Sequence, residues 1–132
     1  MATNISSAEP FQTNSDNAEN YALMWVDESV NSKENLGARN TLAKIHNQFD
    51  VFESIDTCEN AIRQLSDTTR VILIITGSFG KQLLPRIHHL QQVSVIYIFC
   101  VAKENYLEWA KEFNKVKYIS RLTVKFDCLF SF

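Results

Sequence analysis

The sequence predicts an α/β domain: a three-layer, doubly wound sheet of five parallel strands in the order 2-1-3-4-5. Three observations carry that prediction. From Tyr21 onward, short apolar runs alternate with stretches whose apolar residues recur at helical spacing. The runs "VILII" and "VSVIYIFC" show no polar alternation, as expected of parallel strands covered on both faces. Finally, 132 residues make one domain, and 45% hydrophobic against 21% charged residues are proportions that bury a core.

The elements follow in chain order. Residues 1–19 read as a disordered polar tail, rich in Ser and Asn and without Lys or Arg. They also lack the basic start and apolar middle of a signal peptide. "YALMWVD" (21–27) is strand one, ending on acid, and "KENLGARNTLAKIHNQF" sets Ala38, Leu42, Ile45 and Phe49 at helical spacing. "VFES" is a short second strand. In "DTCENAIRQLS", Asp56 and Glu59 form an Asp-headed capping box ahead of the stripe Cys58, Ala61, Ile62, Leu65. "RVILIIT" (70–76) is strand three, and the helix after it aligns Leu83, Ile87 and Leu90, with Pro85 kinking it or starting a second segment. "VSVIYIFC" (93–100) is strand four, "KENYLEWAKEFN" (103–114) a helix with Tyr106, Trp109, Ala110 and Phe113 on one side, and "KVKYIS" (115–120) strand five.

The folded domain is thus expected over 20–120, with right-handed crossovers in the flavodoxin-like strand order. Residues 121–132, "RLTVKFDCLFSF" from Arg121, stand where a fifth helix belongs, but Leu122, Val124 and Phe126 alternate with a period near two. The fifth helix is expected to be atypical or missing, leaving an apolar patch through which the chain self-associates as a homodimer.

Charge and cysteine content exclude several function classes. The net charge of −2 gives no reason to expect a nucleic-acid or membrane partner, and the apolar runs fall far short of the roughly 18 residues that a membrane span needs. The charge is unevenly distributed, with 4 basic and 11 acidic residues up to position 69 and 9 basic and 4 acidic beyond it. Cys58, Cys100 and Cys128 are odd in number and match no disulfide or zinc spacing, which suits a reducing, cytoplasmic location.

The glycines after strand three invite comparison with a phosphate-binding loop. G-x-x-x-x-G-K-[ST] fails, because the position five before Gly80 is Ile75 and Lys81 is followed by Gln82. G-x-G-x-x-G fails too, since only Gly77 and Gly80 are present. A helix amino terminus beside Lys81 remains as a candidate anion site; otherwise Gly77 and Gly80 serve a tight strand-to-helix turn.

In a doubly wound sheet ligands sit at the carboxyl ends of the strands. That rim consists here of Asp27, Glu28, Thr76, Gly77, Cys100 and Ser120. The strand "LMWVDES", ending in Asp27 and Glu28, resembles strand one of response-regulator receiver domains. That resemblance implies magnesium binding by the acidic pair, which makes Asp27 and Glu28 the metal candidates. The family also uses an acceptor aspartate, a Ser/Thr and a lysine at the ends of strands three, four and five, where this chain has Thr76, Cys100 and Ser120. The resemblance is therefore to a pseudo-receiver. The loop after strand two and the catalytic glutamate of TIR domains are not found.

From Tyr21 to Ser120 the segments "WVDESVN", "ITGSFGKQLLPRIHHLQQVSVIYIFC" and "EWAKEFNKVK" resemble an N-terminal module of multidomain invertebrate proteins, where it precedes ADP-ribosyltransferase or tetratricopeptide-repeat regions. This implies a regulatory or docking role, with a protein partner or a fused downstream domain, and transfers no catalytic residue. His88 and His89 are adjacent and so face apart, and neither has a ligand at i+4. Cys100 has no sequence-adjacent base, His46 being a spatial alternative. Trp25, Trp109, Phe99 and Phe113 fall on apolar phases and read as core.

The function expected is a non-catalytic signalling or protein-interaction module of pseudo-receiver type, an N-terminal regulatory domain or a truncated fragment, with no cofactor. The alternative is a small ligand- or anion-binding domain or enzyme using Asp27, Glu28, Thr76, Gly77, Lys81 and Cys100, or the N-terminal fragment of an ADP-ribosyltransferase.

Overall fold

A computed structural model describes residues 20–100 and 102–121, with the side chain of Arg121 left out. The expectations for 1–19 and for the C-terminal segment beyond Arg121 lie outside the described residues. Five strands, β1 (Asn20–Val26), β2 (Phe49–Phe52), β3 (Thr69–Thr76), β4 (Val93–Cys100) and β5 (Val116–Arg121), form one sheet in the order β2-β1-β3-β4-β5. Every pairing is parallel. The helices among the described residues are α1 (Lys33–Ile45), α2 (Ile55–Arg63), α3 (Gly77–Ile87) and the single turn α4 (Leu107–Ala110), preceded by a 3-10 turn over Lys103–Asn105. This is the flavodoxin-like α/β fold that the sequence predicts.

The core lies on both faces of the sheet because successive strand residues point to opposite sides. On one face Val26, Leu73, Ile75 and Ile98 pack against Cys58 and Ile62 of α2, Leu83, Leu84 and Ile87 of α3, and Phe113. On the other, Leu23, Trp25, Ile74, Tyr97 and Phe99 form a second cluster with Leu42 of α1 and Val30. β3 contributes fully buried side chains to both, which is why its sequence shows no alternation.

Local details depart from the expectations in four places. The buried stripe of α1 is Asn35 and Leu42 with Ala38 partly covered, whereas Ile45 is 63% exposed and Phe49 belongs to β2. At α2 the cap is Ser54, whose hydroxyl accepts the Thr57 N–H at 3.3 Å, so the start signal lies two residues upstream of Asp56. Asp56 and Glu59 instead face Arg86 of α3 at 3.2 Å each, and Glu59 also receives Arg63 at 2.9 Å. The Arg63 hydrogen bond, seconded by Arg86, holds the Glu59 carboxyl below its usual range.

The segment 103–114 is no continuous helix. No side chain caps either of its two short turns, and Glu104, Glu108 and Glu112 repel at i, i+4. Trp109 and Phe113 nevertheless reach the core, as their spacing predicts. Pro85, finally, sits inside α3 without splitting it; the helix continues to Ile87 and closes through the His88 N–H on Leu84 O.

Candidate functional site

Register fixes which groups meet at the carboxyl rim. Val26 pairs with Ile75, Ile75 with Ile98, and Ile98 with Ile119. The next residues along are Asp27, Thr76, Phe99 and Ser120, so the position level with Thr76 on β4 is Phe99 and Cys100 is one step beyond. Around this row opens a cleft of about 540 Å³, lined by Asp27, Glu28, Ser29, Thr76, Gly77, Ser78, Phe99, Cys100, Ala102, Asn105 and Tyr106. Its size is ordinary for a small-ligand site.

Of the residues predicted from sequence, Asp27, Glu28, Thr76, Gly77 and Cys100 come together in this cleft. Lys81 does not line it. One turn into α3, its ammonium lies 5.0 Å from the centroid of the Tyr106 ring and 5.8 Å from that of Trp109, a cation–π arrangement outside the cleft. Among the described residues, no Lys, Arg or His lines the cleft.

Asp27 is 2% exposed, and both its carboxylate oxygens are engaged. Oδ2 accepts the indole N–H of Trp25 at 3.2 Å, and Oδ1 accepts the Ser29 N–H at 2.8 Å. The buried Asn35 of α1 then donates to Ser29 O at 2.7 Å. Asp27 therefore pins the β1–α1 loop, while Glu28 stands exposed at the mouth of the cleft. No group of three or more His, Cys, Asp or Glu residues able to hold a metal occurs among the described residues.

Gly77 opens α3 with no positive φ, so a turn conformation does not explain it. Space does. A Cβ there would lie 2.6 Å from Tyr106 Cζ and 2.9 Å from Cys100 Cβ. Gly80 differs, since its Cβ would meet nothing nearer than 3.6 Å. The two glycines should therefore respond oppositely to alanine. Gly77→Ala is expected to cost about 1–3 kcal/mol through displacement of Tyr106. Gly80→Ala, in a helix interior, should be neutral or stabilising by about 0.5–1 kcal/mol. Urea denaturation of the two variants tests the contrast, and equal effects would contradict it.

Thr76 Oγ1 is buried without a hydrogen-bond partner, and Cys100, 4% exposed, directs its thiol to Ser120 O at 3.8 Å. A base is not at hand. His46 caps the carboxyl end of α1, and the chain enters β2 three residues later, so it lies at the opposite rim from Cys100. His88 closes the carboxyl end of α3, again away from the cleft, with its ring 5.0 Å from that of Phe113. Cys58, on the sheet-facing side of α2, is wholly buried, and that burial pushes its thiol up to about 12.

His46 nonetheless has a measurable consequence. Burial, partly offset by the Gln48 backbone, lowers its pKa. The folded state then binds the proton less readily than the unfolded chain, so the His46 contribution is complete above about pH 6.5 and is lost as the pH falls below that value. Thermal melts across this window should show a smaller acid-side loss for His46→Asn than for the wild type. Identical slopes would contradict the assignment.

Sequence reasoning missed Tyr106, Asn105, Ser29 and Ser78 as parts of the cleft, as well as the bracing by Trp25 and Asn35. Part of the bracing is readable in retrospect: Trp25 and Asp27, two apart on one strand, share a face, and Asp-x-Ser is an Asx-turn pattern. Nothing in the sequence places Tyr106 over Gly77. No family model, curated protein or solved structure matches the chain.

Proposed function

We propose that this domain is a non-catalytic protein-interaction module of pseudo-receiver type, working as a regulatory part of a larger assembly. The observation that carries this reading is the set of side chains standing at the strand ends. Asp27, at the end of β1, accepts the Trp25 indole N–H on Oδ2 and the Ser29 N–H on Oδ1, so its carboxylate braces the β1–α1 loop. The row it begins continues through Thr76, Phe99 and Ser120, which offer neither an acceptor carboxylate nor a lysine. Cys100 faces a carbonyl, and His46 and His88 lie at the far rim.

Thr76→Asp tests the reading by restoring the acceptor type at the end of β3. On this account the variant, incubated with acetyl phosphate and magnesium, gains no phosphoryl group by intact-mass measurement. Stoichiometric labelling would show that the rim retains the chemistry.

A second reading, small-ligand binding at the rim, has the 540 Å³ cleft in its favour. Its anionic version is weakened by the position of Lys81 outside the cleft and by the two carboxylates within it. Saturable heat on calorimetric titration with a nucleotide would favour this reading over the first.

A further inference from the structure

A groove of about 530 Å³ runs along β5 beside α4, away from the rim cleft. Its floor is apolar, with Ile119 partly buried and Leu107 41% exposed, while Tyr118 borders it at the sheet edge with its ring stacked on Tyr97 of the opposite face. Its rim carries Lys103, Lys111 and Lys117, and no carboxylate lines it among the described residues. Glu108 reaches Lys111 at 2.9 Å without lining the groove, and Lys117 donates to Asn114 O at 3.1 Å; each ammonium, with three donors, keeps capacity for another acceptor. Among the described residues, β5 pairs with a strand on one side only. An extended segment laid along its outer side would meet backbone donors and acceptors as well as the lysines.

Resting on the reading of the domain as an interaction module, we propose that this groove is its docking surface and that the partner is an acidic segment carrying apolar anchor residues. Charge complementarity selects that occupant: three lysines around an apolar floor repel a basic segment and leave a purely polar one without a buried contact. The apolar anchors fill the groove between Leu107 and Ile119 while the carboxylates pair with the lysine rim. The lysines set encounter and specificity, so binding weakens as salt rises.

The test titrates the full chain against a fluorescein-labelled peptide of glutamates and aspartates interrupted by leucines and a phenylalanine, read by anisotropy. The wild type is expected to saturate, and Lys103→Glu/Lys111→Glu/Lys117→Glu to bind roughly tenfold or more weakly. Lys117→Glu alone, at an exposed position, is expected to weaken binding measurably and serves if the triple variant fails to fold. A peptide with lysines in place of the acids should not bind, nor should one with serines in place of the apolar residues. No saturation by the wild type, equal binding by the charge-reversed variants, or equal binding of the lysine peptide would each overturn the proposal. Binding that survives charge reversal would overturn the groove and leave the interaction-module reading standing. No binding of any peptide, together with phosphoryl labelling of the rim, would remove both.

Discussion

Asp27→Ala is expected to destabilise the domain by about 3 kcal/mol, because it strands the buried indole donor of Trp25 and also removes the acceptor of the Ser29 N–H. The indole N–H of Trp25, a fully buried side chain, and the N–H of Ser29 both lose their acceptor. The loop between β1 and α1 also loses its anchor, since Asn35 holds the same turn through Ser29 O. For a domain of this size the melting temperature should fall by roughly 10 °C or more. Asp27→Asn should cost less, as its amide oxygen can still accept from Ser29 while its NH₂ opposes the indole donor. Chemical denaturation of both variants decides the matter. An Asp27→Ala chain as stable as the wild type would mean that the carboxylate is kept for something other than architecture.

Leu73→Ala and Ile74→Ala should each cost about 2–5 kcal/mol, the range for a large aliphatic side chain removed from a closed core. These neighbours on β3 point to opposite faces, Leu73 toward α2 and α3 and Ile74 toward the cluster of Trp25 and Leu42, and both are 0% exposed. A one-sided sheet would give one large and one small effect. Two comparable losses, read from denaturation midpoints, are the outcome expected of a central strand covered on both sides.

The strand order was legible because the strands carry their own evidence. "VILII" and "VSVIYIFC" lack alternation, and in a parallel sheet that absence means cover on both faces. Much of the rim was legible for the same reason, since Asp27, Thr76 and Cys100 stand at strand ends and a parallel sheet brings such ends to one edge. What escaped was whatever depends on the direction of a helical side chain or on contacts between distant segments. The position of Lys81 beside the glycines points to the rim, yet two aromatic rings on the following segment hold its ammonium outside the cleft lining. Gly77 carries the sequence signal of a tight-turn residue, yet Tyr106, twenty-nine positions later, is what excludes a side chain there. The acidic pair is legible only by its position in the chain, whereas the bracing by Asp27 follows from donors that the folded loop assembles.

Titration calorimetry of the wild-type chain with acetyl phosphate in the presence of magnesium tests the central claim, that the rim does no phosphoryl chemistry, most directly. Heats of dilution only are expected, because Thr76 stands where an acceptor carboxylate would be needed and the row continues through Phe99 and Ser120 without a lysine. Saturable heat accompanied by a stable phosphoryl adduct would contradict it.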